Sequence, residues 1–142
     1  MLLAPAADHP LRVSLRFAAD EAVVSVVHGL LGSGLLVTDR RLYAWRGEGA
    51  LGPVPASNVG RVIVDLGEPG VDHLLVLVAP RNAIHVPLTL VARPNDLEAI
   101  HAFVEQLATV AGANATVDAA RRMHRFTFEP LATDAADSTA TL

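Results

Sequence analysis

The sequence predicts a mainly β fold, α+β by class, in which short antiparallel strands are closed by one amphipathic helix toward the C-terminal side. Three features carry that expectation. Apolar and polar residues alternate over short runs, glycine and proline clusters separate those runs at hairpin spacing, and a single long stretch combines helical periodicity with start and stop signals. With 142 residues, 51% of them hydrophobic, the chain can bury one core and little more.

Leu11 to Phe17 alternates strictly, with Leu11, Val13, Leu15 and Phe17 on one face and Arg12, Ser14 and Arg16 on the other, the pattern of a half-buried strand. Ala22 to Leu30 contains Val23, Val24, Val26 and Val27, whose branched side chains disfavour helix, and is a second strand. Gly29, Gly32 and Gly34 bracket a loop that leads into the organising hairpin, Gly34 to Arg46. Leu35 to Val37 and Leu42 to Trp45 are its arms, and Asp39-Arg40 is its turn. Leu51 to Pro55 carries two prolines and is at most an edge segment.

Val59 to Leu66 is the next strand, ended by the turn cluster Gly67-Glu68-Pro69-Gly70. His73 to Ala79 is expected to pair with Ala83 to Leu90 across Pro80-Arg81-Asn82, with Ile84, Val86, Leu88 and Leu90 facing the core. The helix begins at Asn95, with Glu98 completing a capping box. It repeats Leu97, Ile100, Val104, Leu107 and Ala111 at helical spacing with Phe103 beside them, and stops at Gly112. Beyond it, Val117 to Met123 is expected as a short helix, Arg125-Phe-Thr-Phe-Glu129 as a strand and Thr133 to Leu142 as a disordered end.

Two stretches, Gly34-Leu-Leu-Val-Thr-Asp-Arg-Arg-Leu42 and Val54-Pro-Ala-Ser-Asn-Val-Gly-Arg-Val62, followed by a hairpin and the helix, resemble the bacterial pleckstrin-homology-like family and, more loosely, GRAM domains. The resemblance covers roughly residues 20–112. It implies a bent antiparallel β-roll or barrel of about seven strands plugged at one end by the helix, used to bind proteins or lipids, and some bacterial members resemble ring-forming oligomers. Residues 1–19 then form an N-terminal extension with a strand, and 113–142 a C-terminal extension.

Composition removes several classes of chemistry. All 11 basic residues are arginine, which excludes lysine Schiff bases and phosphate-loop lysines, and the chain contains no cysteine. A net charge of −4 argues against nucleic acid as a partner. The apolar start Met1-Leu-Leu-Ala4 lacks a basic flank, and the expected location is the cytoplasm. Membrane lipid is disfavoured as a partner, because the loop His28 to Gly34, where the wider superfamily places basic headgroup ligands, has no cation.

No catalytic residue, metal site or cofactor is assigned. The glycines of Gly29 to Gly34 lack the dinucleotide-binding spacing and belong to a plain loop, and the six histidines show no paired-ligand spacing. Arg40, Arg46, Arg61 and Arg81 are read as scattered rather than as a phosphate cluster. Arg41, Tyr43 and Trp45 share one strand parity and form a candidate recognition strip. Phe126 and Phe128 are expected to add a strand to an exposed edge, against Leu11, Val13, Leu15 and Phe17 of the same or a neighbouring chain. The resulting expectation is a non-enzymatic module whose partner is a protein or a second copy, forming a homo-oligomer. The alternatives are a small-molecule or hydrolytic domain using a pocket at His73 and His85, and a peripheral lipid-binding domain.

Overall fold

The computed structural model describes residues 15–68, 70, 72–82, 87–120 and 122–131. Among them, two antiparallel sheets pack around one core with a single α-helix, and the sheets do not close into a barrel. The first sheet has the order β1 (Val23–His28), β2 (Ser33–Thr38), β3 (Arg41–Arg46), β4 (Gly49–Pro55). The β2–β3 hairpin forms as its sequence demands, with Val37 opposite Leu42 and Leu36 opposite Tyr43. Thr38 closes its turn, because its hydroxyl accepts the amides of Arg40 at 3.1 Å and Arg41 at 3.0 Å. Strand β4 lies on the sheet edge, where Pro53 and Pro55 remove no interior ladder bond.

A 3-10 turn at Ala56–Asn58 carries the chain into the second sheet, built from β5 (Val59–Asp65), β6 (Leu74–Pro80), β7 (Leu88–Ala92), β8 (Ala113–Ala120) and β9 (Met123–Pro130) in the order β7-β6-β5-β9-β8. Between β7 and β8 lies α1 (Leu97–Ala111). The helix turns Ile100, Phe103, Val104, Leu107 and Ala108 into the core and ends at Gly112, whose φ of 68° is left-handed. Its start differs from the sequence expectation. A 3-10 turn, Pro94–Asp96, precedes the helix, the cap position is Asp96 rather than Asn95, and the Arg93 amide donates to the Asp96 carboxylate at 3.3 Å.

Three further expectations need correction. Strand β7 ends at Ala92, and Val78 faces Leu88, so the β6–β7 connection is longer than Pro80-Arg81-Asn82; Ile84, His85 and Val86 lie outside the described residues. Residues 117–120, expected as helix, are strand: Val117 pairs with Phe126 and Ala115 with Phe128, and this pairing outweighs the helix propensity of the alanines. The Phe126 strand does join a sheet edge, but its neighbour is β5, with Val62 opposite Phe126 and Arg61 opposite Thr127, and not the Leu11 to Phe17 segment. Leu11 and Val13 lie outside the described residues.

Both faces of β2 and β3 are buried. Leu35, Val37, Leu42 and Ala44 enter the main core, while Leu36, Tyr43 and Trp45 pack beneath Leu15 and Phe17 on the opposite face. Gly34 is required here by close approach, since a Cβ at that position would stand 2.1 Å from Trp45 Cζ2. Gly34→Ala is therefore expected to force the indole out of place and lower stability by about 1–3 kcal/mol, read from a urea midpoint, with a red-shifted Trp45 emission. An unshifted emission and midpoint would show that the indole does not press on this backbone.

Candidate functional site

Arg41, Tyr43 and Trp45 do lie on one face of β3, but Tyr43 is 2% and Trp45 3% exposed in this chain. Phe17 stands edge-on to Tyr43 at 4.9 Å between ring centroids. What the three-residue strip faces is the chain's own N-terminal segment, held by a residue that sequence reading passed over. Glu21 has a fully buried side chain, yet its carboxylate is surrounded by donors. Arg41 reaches it at 2.5 Å, the Thr38 hydroxyl at 2.5 Å, the Tyr43 hydroxyl at 3.0 Å and the Ala18 amide at 2.8 Å.

Burial alone would raise the Glu21 pKa, but the hydrogen bonds from Arg41, Thr38, Ala18 and Tyr43 outweigh it and bring the carboxyl down to about 2. Tyr43 is pushed up to about 12 by its burial and by the adjacent carboxylate. At neutral pH this is a fixed ion pair with a phenol that stays protonated. It holds no proton near its transfer point, and its place beneath Leu15 and Phe17 makes it a clamp on the N-terminal segment.

His73 borders an open cleft of about 520 Å³ lined by Leu30, Leu31, Asp72, His73, Val91, Arg93, Pro94 and Asn95. The loop before β2 forms one wall, fixed by the Leu30 amide on the Val91 carbonyl at 2.6 Å and by the Ser33 hydroxyl on the Leu30 carbonyl at 2.6 Å. This leaves Leu31 76% exposed at its tip, in a left-handed conformation with φ of 59°. His73 Nδ1 is 3.7 Å from Asp72 Oδ1, too far for a hydrogen bond, and the Asp72 side chain is fully exposed. The lining has no hydroxyl or thiol side chain for that imidazole to activate. His85, the other expected pocket residue, lies outside the described residues.

The arginines disperse. Arg40 pairs with Asp20 at 2.6 Å on the surface, Arg46 donates to the Thr89 hydroxyl at 2.9 Å, and Arg81 donates to the Phe128 carbonyl at 2.9 Å. One histidine pair does form: His101 Nε2 on α1 lies 3.1 Å from His124 Nδ1 on β9, with Phe126 edge-on to His101. Burial, and then the neighbouring His124, lower the His101 pKa, which favours the neutral imidazole at that position in the contact between the two rings. Among the described residues no group of three or more histidine, aspartate or glutamate side chains could hold a metal ion.

The four sheet edges are unequal. The helix α1 reaches both β1 and the start of β8, but β1 is mostly half-buried; β4 carries its prolines, and β7 is crossed by the Leu30–Val91 hydrogen bond. Strand β8 has eight residues and is exposed along most of its length, with Val117 53% exposed. The direction of its backbone groups follows from two contacts. Leu131 donates to the Gly112 carbonyl, and Leu66 donates to the Arg122 carbonyl on the other flank of β9. Alternation from these points turns the even-numbered residues of β8 toward β9, and the amides and carbonyls of Ala115, Val117 and Ala119 outward. Consistently, Pro130, which has no amide to donate, stands opposite Ala113 in an unbonded pair.

Compared with known proteins, the chain matches no family model, no curated protein and no solved structure.

Proposed function

We propose that the chain is a non-enzymatic binding and assembly module that joins another polypeptide by strand addition at β8. The observation that carries this reading is the edge itself: a long strand whose outward amides and carbonyls meet no described neighbour, in a fold whose other edges are mostly half-buried, crossed or proline-bearing. Open strands of this kind pair with other chains, main-chain hydrogen bonds giving affinity and alternate side chains giving selectivity. The order of seven strands followed by α1 supports the pleckstrin-homology-like resemblance, to which the β8–β9 hairpin is an addition. The isolated, exposed Asp72–His73 pair favours binding over hydrolysis.

Light scattering combined with hydrogen exchange tests the proposal. The expected result is a mass above the 14.9 kDa of one chain, or a stoichiometric second polypeptide, together with slowed exchange at the Ala115, Val117 and Ala119 amides. A lone chain at every concentration, with these three amides exchanging freely in the presence of candidate partner strands, overturns it.

The cleft beside Leu31 supports a second reading. Its apolar walls, with the oppositely charged Arg93 and Asp72 among the lining, suit a small amphipathic molecule.

A further inference from the structure

We infer that the polypeptide added at β8 is a second copy of this chain, paired antiparallel through β8 itself with Val117 on the two-fold axis. This rests on the strand-addition reading above and specifies its partner and register. Because Ala115, Val117 and Ala119 present their backbone groups outward, an antiparallel partner must bring outward-facing residues opposite them, which limits a symmetric pair to a few registers.

Side-chain chemistry selects among those registers. With the axis at Asp118, two aspartates stand directly opposite each other, a like-charge pair that strands avoid. With the axis at Thr116, the mostly buried Ala113 would have to reach the junction, and the exposed Val117 would face only Ala115. With the axis at Val117, the two exposed valines meet on the face that carries Phe126, and Ala115 meets Ala119 of the other copy. On the opposite face the Asp118 carboxylate comes opposite the Thr116 hydroxyl, which can donate to it, and symmetry provides that contact twice. Small residues along the rest of β8 let the two backbones approach without obstruction. The product is a continuous sheet in which β8 of neither copy is an edge.

The absence of native cysteine makes the register directly measurable. Residues that exchange both hydrogen bonds across an antiparallel pair have Cα atoms about 5.5 Å apart, within the span of a disulfide. Val117→Cys is expected to convert to a disulfide-linked dimer under mild oxidation, whereas Thr116→Cys, which meets Asp118 of the other copy rather than itself, stays monomeric on a denaturing gel. Val117→Lys should shift the native mass from two chains to one while leaving the far-ultraviolet circular dichroism unchanged, because this side chain is outside the core. Equal cross-linking of both cysteine variants, cross-linking by Thr116→Cys alone, or a dimer mass that survives Val117→Lys overturns the proposed pairing. A monomeric wild-type chain whose β8 amides become protected only on adding a different polypeptide also overturns it, while leaving the assembly reading intact.

Discussion

Replacing Leu107 with alanine is expected to remove about 2–5 kcal/mol of stability, the range for a leucine truncated in a packed core. Leu107 is completely buried on the face of α1 that also carries Ile100, Phe103 and Val104, and that face closes the space between the two sheets. The loss has two parts: the transfer free energy of the deleted methyl-bearing carbons, and the contacts forfeited around the space they leave. The packing of Leu107 among side chains from both sheets limits how far that space can collapse. Urea denaturation should show a lower midpoint with an unchanged slope, since the same surface is exposed on unfolding. Gln106→Ala, on the exposed side of the same helix, should move the midpoint by no more than a few tenths of that amount. Equal effects at the two positions would show that this helix face is not core.

The β2–β3 hairpin and α1 were legible because each combines a local signal with a period that points the same way. Asp39-Arg40 lies between apolar arms, and Gly112 follows a helical stripe. The β6–β7 register was not legible. Alternation put Leu88 and Leu90 on the core side, where they are buried, but the facing arm is apolar on both sides and a slide by an even number of residues keeps that parity, so the pattern does not choose the partner of Leu88. Strand β8 was misread for a different reason. Ala113 to Ala120 is half alanine, a helix former, and becomes strand only through Phe126 and Phe128, which are themselves fixed by β5. The candidate site was legible in its parity but not in its cover. Alternation placed Arg41, Tyr43 and Trp45 together, but whether that face is open depends on where Leu15 and Phe17 travel, and Glu21 lies 17 to 22 residues from Thr38, Arg41 and Tyr43.

Glu21 gives the other large expected effect, in both its substitution and its titration. Glu21→Ala leaves the Ala18 amide without its acceptor, leaves the Tyr43 and Thr38 hydroxyls only the longer contacts to the Arg16 carbonyl at 3.2 Å and the Arg41 carbonyl at 3.3 Å, and leaves Arg41 without its counter-charge. Breaking a buried pair costs about 3–5 kcal/mol; because Arg41 is 35% exposed and can recover hydration, the lower end, about 3 kcal/mol, is expected. Leu15 and Phe17 should then loosen from Tyr43 and Trp45, and the Trp45 emission should move to longer wavelength under native conditions. The acid response has a fixed sign. A carboxyl at about 2 when folded and at its ordinary 4.5 when unfolded is protonated first in the unfolded chain. Its contribution is therefore complete above about pH 4.5 and is lost as the pH falls through 4.5 toward 2, in all roughly 3 kcal/mol. Urea midpoints measured at pH 7 and near pH 2 separate this term from the other carboxylates when wild type is compared with Glu21→Gln, which has the same shape and no titrating group. The variant should be less stable at neutral pH and converge toward wild type at the acid end. Parallel pH profiles for the two proteins would mean that the Glu21 carboxylate is not held by these donors and that the N-terminal segment is fastened to the first sheet by its apolar contacts alone.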